Sequence, residues 1–164
     1  MASVVAVCIS ERKGTPKHVV SEIHLKLGHG IVGDAHAGNW HRQVSLLGQE
    51  STEKMKAVLP ERPIGAFAEN ILIEGLTLYT LPVGTRLEIG EVLLEVTQVG
   101  KECHARCAIR QQVGDCVMPR EGNQILCTGQ PTWHWPPCSG DCFHGFANQG
   151  GNESGEPLCP YSNV

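Results

Sequence analysis

The sequence predicts a mainly β protein, a barrel or sandwich of short strands, on three observations. Apolar, β-branched runs are short and stop at glycines. Several of them alternate apolar and polar residues, as half-buried strands do. One stretch, TRLEIGEVLLEVTQV (85–99), reads as two alternating runs joined at Ile89-Gly90-Glu91, a hairpin. In chain order, ASVVAVCIS (2–10) is a β-branched strand, and SEIHLKL (21–27) alternates up to the GHG turn. QVSLL (43–47) is a third strand, after which Ser51 and Thr52 can open a short helix. ENILIEG (69–75) is a strand ending in a turn, and CHARCAIRQQ (103–112) a short helix after the last strand. Many short strands at this spacing fit a barrel or sandwich better than a parallel sheet with helices on both faces.

The 164 residues suit one domain, and 41% hydrophobic content supplies a core. A formal charge of −4 and a pI near 6.0 give no reason to expect a nucleic-acid or membrane partner. The start, MASVVAVCISERKG, lacks the basic region and cleavage site of a secretory signal, so the expected compartment is the cytoplasm. Thiols stay reduced there, and the eight cysteines are not read as a disulfide scaffold.

Composition changes near residue 122. All 13 Lys and Arg residues lie at or before Arg120, while half of the prolines and half of the cysteines follow Asn123. The reading therefore divides the chain into a barrel domain, 1–122, and an irregular Cys/Pro/Gly-rich tail, 123–164. The tail is an appendage, a small metal-bound module, or a sequence not selected to fold, such as a frame-shifted reading would give.

Four stretches carry chemistry. In GKECHARCAIRQQVGDC (100–116), Cys103 and Cys107 stand one helical turn apart. Cys103 falls where a strand gives way to a helix, and orphan N–H groups there favour a thiolate, helped by Lys101, His104 and Arg106. A zinc site of Cys103, His104, Cys107 and Cys116 competes, although the spacing matches no common structural pattern. Buried packing of Cys107 and Cys116 is the third reading. In GIVGDAHAGNWHRQVSLL (30–47), Gly33 allows a close approach by a ligand, and Asp34, His36 and Arg42 crowd polar groups into one loop. Arg42 can hold a phosphate or carboxylate with two hydrogen bonds; the alternative is a solvated loop with a tryptophan anchor. Glu69 and Asn70 sit at the mouth of a strand and either line a site or close a turn. Arg120, in MPREGN, is an anion-binding arginine or an exposed ion-pair partner.

Taken in order, VVAVCIS, GIVGDAHAGNWHRQVSLL, GAFAENIL, LPVGTRLEIGEVLLEVTQVGKECH and GDCVMPREG resemble a stand-alone bacterial MOSC domain, the molybdenum cofactor sulfurase C-terminal domain. The resemblance covers roughly residues 2–122. It implies a closed or nearly closed MOSC-type β-barrel with a few short helices, molybdenum cofactor (molybdopterin) binding, and sulfur handling through a cysteine persulfide. It places the hallmark cysteine, which follows the Thr97-Gln98 strand, on Cys103. The G-D motif falls on Gly33 and Asp34, the arginine on Arg42, the E-N pair on Glu69 and Asn70, and P-R-E-G on Pro119 to Gly122. With His36, these residues and Arg120 form the expected cofactor pocket. A separate pyridoxal-phosphate cysteine desulfurase would supply the sulfur, and a molybdoenzyme or cofactor-biosynthesis protein would receive it. The rival functions are a non-catalytic cofactor carrier or insertion module, molybdenum-dependent reduction of N-hydroxylated compounds, and a structural zinc protein. Relatives of this type continue past P-R-E-G with further strands, which the reading does not find from Asn123 on. The expected barrel is therefore incomplete at its C-terminal end.

Overall fold

The computed structural model describes residues 2–61, 63–101, 110, 111, 114 and 116–129, and the backbone of 142–143. The predicted fold class holds: the chain is mainly β, with two short α-helices among the described residues. The strands are β1 (Ser3–Ile9), β2 (His18–Val20), β3 (Leu25–Lys26), β4 (Gly30–Ile31), β5 (Val44–Gly48), β6 (Ile71–Glu74), β7 (Arg86–Ile89), β8 (Val92–Val99), β9 (Asn123–Gly129) and β10 (Cys142–Phe143). Helix α1 (Gln49–Glu53) follows β5, and α2 (Met118–Glu121) precedes β9. Seven strands form one sheet in the order β2-β1-β6-β5-β9-β8-β7, curled as a half-barrel, and β10-β3-β4 form a second, small sheet. Within the large sheet only β5 and β6 run parallel.

Alternation sorts the side chains between two cores. Val7, Leu46, Ile71 and Ile73 point into the larger one with Leu25, Ile31, Leu87, Ile89, Val92, Leu94, Val96 and Ile125. Their neighbours Ala6, Leu47 and Leu72 point the other way, against Met55, Phe67, Val117 and Met118. This is the period-two consequence of the pleat. The predicted hairpin is present: Ile89 pairs with Val92 across a two-residue turn, and Gly90 takes a left-handed φ of 56°. In SEIHLKL, Ile23 and Leu25 are buried while Glu22, His24 and Lys26 are exposed, yet only Leu25–Lys26 is hydrogen-bonded as a strand. Of the predicted 103–112 helix, only Arg110 and Gln111 are described, and both are helical.

The sequence reading sets its boundary between barrel and tail at residue 122. Asn123–Gly129 is β9, set between β5 and β8 near the middle of the large sheet. Its sequence shows no alternation because both faces are covered: Asn123, Gln124, Ile125 and Cys127 are all buried. The apolar strand expected after P-R-E-G is therefore present. Of the remaining tail, the described part is the backbone of β10, paired with β3.

Candidate functional site

The loop between β4 and β5, the β1–β2 loop and the start of β6 meet at Asp34. Both side chains of the Lys17–Asp34 ion pair are fully buried. Asp34 Oδ2 accepts from the Ser10 backbone N–H (3.0 Å), from Lys17 Nζ and from Asn70 Nδ2 (3.1 Å), and Oδ1 accepts from the His36 N–H (2.9 Å). Burial alone would raise the carboxyl's pKa, but its contacts with His36 and Lys17 outweigh that and hold it well below the ordinary carboxylate range. Burial lowers the Lys17 amine from its usual value, opposed by Asp34. Asp34 is thus a fixed acceptor hub that ties three chain segments together, not a free base.

Asn70 extends the hub. Its Nδ2 also donates to the Cys8 carbonyl (3.0 Å), and its Oδ1 accepts from the Ser45 N–H (3.1 Å) and hydroxyl (3.0 Å). Glu69 faces away into its own turn, accepting from the Gly65 and Phe67 N–H groups at 2.7 and 3.1 Å. Burial pushes its carboxyl upward in spite of these donors. Ala68, immediately before it, has φ 64°, the one positive φ among described residues other than glycine. The turn-closing reading of Glu69 therefore describes it, while Asn70 belongs to the hub.

Beyond the hub lies an aromatic ledge. The His36 ring, 24% exposed, stacks on Trp40 with centroids 6.4 Å apart, and Trp40 Nε1 donates to the His36 carbonyl at 2.7 Å. The Arg42 guanidinium and Lys13 Nζ each lie 4.9 Å from the Trp40 ring. Arg42 Nε is buried and has no hydrogen-bond partner among the described residues. A buried guanidinium N–H left without an acceptor is costly, and an anionic ligand group would satisfy it. Gly33 is exposed with φ 85°, and a Cβ there would meet open space, so its freedom serves the turn and no close approach by protein atoms requires it.

The thiol segment begins where β8 ends. Thr97 Oγ1 bonds to the His41 carbonyl, tying the ledge loop to β8, and the same hydroxyl lies 2.9 Å from the Gln124 carbonyl. Gly100 N–H donates to the Gly122 carbonyl (2.6 Å) and Lys101 N–H to the Pro119 carbonyl (3.2 Å). These bonds hold the P-R-E-G turn against the last residues before Cys103. Arg120 is exposed near the end of α2, and Glu121 is bound by Lys54 at 2.8 Å. Lys101 is near enough to Lys17 for its charge to lower the Lys17 amine further. Cys103 itself, with His104 and Cys107, lies outside the described residues. Among the described residues, no three His, Cys, Asp or Glu side chains cluster as metal ligands.

Cys8 and Cys127 have the character of inert thiols. Burial, with help from Glu69, pushes Cys8 up to about 12, and burial pushes Cys127 to about 11. Neither should alkylate measurably at pH 8 in the folded protein, and both should label on denaturation. Peptide mapping after timed iodoacetamide exposure reads this out; rapid native labelling of Cys8 would contradict its burial.

The structure brings Asp34, His36, Asn70 and Arg42 into one contiguous region, while Glu69 is engaged in its own turn and Arg120 stands on α2. Sequence reasoning missed Lys17, Ser10 and Lys13. A lysine directly after a Gly-Thr-Pro loop and before a strand gives no pattern of its own. Its burial becomes readable only once an acidic partner such as Asp34 is known to face it.

A model of the MOSC domain matches residues 33–130, more than half of the chain. No curated protein matches it. Among solved structures, the YuaD protein from Bacillus subtilis is similar at 16% identity and a TM-score of 0.63, covering 80% of this chain and 90% of that one. YiiM from Geobacillus stearothermophilus is 19% identical with a TM-score of 0.59, covering 80% of this chain and 70% of that one. YiiM from Escherichia coli is 19% identical with a TM-score of 0.54, covering 79% and 64%. At these identities the likeness establishes the shared fold. No helix among the described residues is long and apolar enough to cross a membrane.

Proposed function

The chain belongs to the MOSC domain family, and on that premise we propose that it binds the molybdenum cofactor and handles sulfur as a persulfide on Cys103. The observation that carries the reading is Arg42, whose guanidinium, with a buried Nε that has no partner among the described residues, lies on the Trp40 ledge beside the Asp34–Lys17 hub. That arrangement suits an anionic phosphate group of a pterin cofactor. Arg42 would hold the phosphate, with Gly33, Asn70 and Arg120 as further candidates for the pocket. Asp34 keeps the loop in place, and the bound cofactor would supply the molybdenum centre that receives the sulfur.

Loading of Cys103 needs a donor that already carries sulfane sulfur, such as a cysteine desulfurase persulfide. The Cys103 thiolate attacks the outer sulfur of donor–S–SH. A new S–S bond forms on Cys103, the donor's S–S bond breaks, and the donor leaves as a thiolate. No net oxidation or reduction is required. The pKa shifts of Cys8 and Cys127 are consistent with this choice of nucleophile, because both thiols stay protonated near neutrality. Lys101 places a cation two residues before Cys103 in the sequence.

Incubation with a persulfide donor should add one sulfur to Cys103 in peptide mass spectrometry, and Cys103→Ser should lose at least nine-tenths of the uptake. Equal uptake by Cys103→Ser would overturn the assignment. Cofactor retained by Cys103→Ala, with no sulfur gained by either protein, would instead support a carrier.

A further inference from the structure

The contacts of Lys17 leave one of its hydrogens to be accounted for, and the count bears on His36. A buried ammonium has three N–H donors and no acceptor. One goes to Asp34 Oδ2 and one toward Ser10 Oγ at 3.4 Å. Ser10 Oγ is free to accept, because its own hydrogen goes to the Arg12 carbonyl at 3.1 Å. The third faces His36 Nδ1, also at 3.4 Å. The same Nδ1 lies 3.4 Å from Asp34 Oδ1, so distance does not decide which contact carries the hydrogen bond.

Satisfaction decides it. If Nδ1 carried a hydrogen and donated it to Asp34, the third Lys17 hydrogen would be buried without an acceptor among the described residues. If Nδ1 accepts from Lys17, the unsatisfied group is a single lone pair on Oδ1, which already accepts from the His36 backbone N–H. Stranding a charged donor costs more than stranding one carboxylate lone pair. The tautomer of a histidine follows from the bond its other nitrogen makes.

We propose that Lys17 fixes His36 as the Nε2–H tautomer, so that the ring is a standing hydrogen-bond donor toward a ligand at the ledge. Nδ1 is held by the fully buried Lys17, whereas Nε2 has no partner among the described residues and the side chain is partly exposed. Together with Arg42 this gives the ledge two N–H donors with no acceptor among the described residues. The group they would take is an anionic oxygen or sulfur. Asp34 stays a positioning residue, and so does Lys17, which acts through His36. The inference rests on the cofactor-site reading for its ligand, but not for its tautomer.

Nitrogen-15 NMR of the imidazoles in the intact wild-type protein tests it directly, with the His36 signals assigned by their loss in His36→Gln. Expected is a pyridine-type signal for His36 Nδ1 and a pyrrole-type signal for Nε2. The reverse pattern overturns the proposal, and this readout does not depend on any variant folding. In Lys17→Met the ring should switch, donating from Nδ1 to Asp34. A folded Lys17→Met protein that keeps the wild-type pattern also overturns it. Binding of molybdenum cofactor released from a molybdoenzyme supplies the functional arm. His36→Gln, whose amide donates from a position near Nε2, should stay within about threefold of wild type, whereas His36→Asn should lose about tenfold, the scale of one hydrogen bond to a charged acceptor. Equal losses in both overturn the donor role. If the wild-type protein binds no cofactor while the NMR pattern stands, the cofactor reading fails and the tautomer assignment survives.

Discussion

Asp34→Ala is expected to destabilise the protein by about 3–5 kcal/mol, the scale for removing one partner of a buried ion pair. The substitution leaves the Lys17 ammonium with no opposite charge in a site from which water is excluded. It also removes the acceptor of the Ser10 and His36 N–H groups and of Asn70 Nδ2, so the β1–β2 loop, the ledge loop and the start of β6 lose their common anchor. Urea denaturation measures the effect. Combining Lys17→Met with Asp34→Asn should cost less than the sum of the single changes, because no lone charge remains. The pH dependence has a definite sign. Asp34 ionises at lower pH in the folded protein than its unfolded value of 3.8, so its stabilisation is complete above the ordinary carboxylate range and is lost as the pH falls below about 4. Asp34→Asn should lack this component of acid sensitivity. A wild type and an Asp34→Asn variant with parallel stability profiles from pH 6 to pH 2 would show that the carboxylate is not the anchor.

Gly100→Ala is expected to destabilise by on the order of 3 kcal/mol, combining a left-handed backbone with overpacking. Gly100 has φ 68°, and a Cβ there would overlap the Pro119 carbonyl oxygen. The chain can escape only by parting β8 from the P-R-E-G turn, which breaks the Gly100–Gly122 and Lys101–Pro119 hydrogen bonds. Those two bonds precede Cys103 directly, so persulfide uptake should fall along with stability. Gly84→Ala is the control. Its φ of 91° carries the same conformational strain, but a Cβ would meet nothing within 4 Å, so only about 1–2 kcal/mol should be lost. Equal losses at the two positions in guanidinium unfolding would mean that the β8 junction is looser than its geometry indicates.

The two predictions draw on parts of the molecule that differ in how far the sequence discloses them. The 85–99 hairpin was legible because one face of each strand is buried: Leu87, Ile89, Val92, Leu94 and Val96 mark the inner side, and the less buried Glu88, Leu93 and Glu95 alternate with them. Strand β9 was not, because burial on both faces erases alternation, and its Asn123 and Gln124 read as loop residues. Asn123 is buried all the same, its Nδ2 bonded to the Leu78 carbonyl at 2.8 Å. Strand β2 escaped because three residues are too few to show a period. At the site, Asp34, His36, Arg42 and Asn70 stood out as polar residues crowded among glycines or at a strand mouth. Lys17 did not, since an amine that becomes buried looks in sequence like any surface lysine. The pairing that makes it stable joins residues 17 and 34, with three short strands between them in the chain, and only the fold reveals that.

Strand β9 sits between β5 and β8, although 74 residues of chain lie between Gly48 and Asn123. On a translating ribosome, the first half of the molecule therefore emerges with one side of β5 lacking its hydrogen-bonding neighbour. Such a nascent chain must close a long loop before its central ladder is complete, which slows folding and prolongs exposure of an adhesive edge. The segment that bears Cys103 lies inside that last-closing connection, so its anchoring to the P-R-E-G turn becomes permanent only when the ladder does.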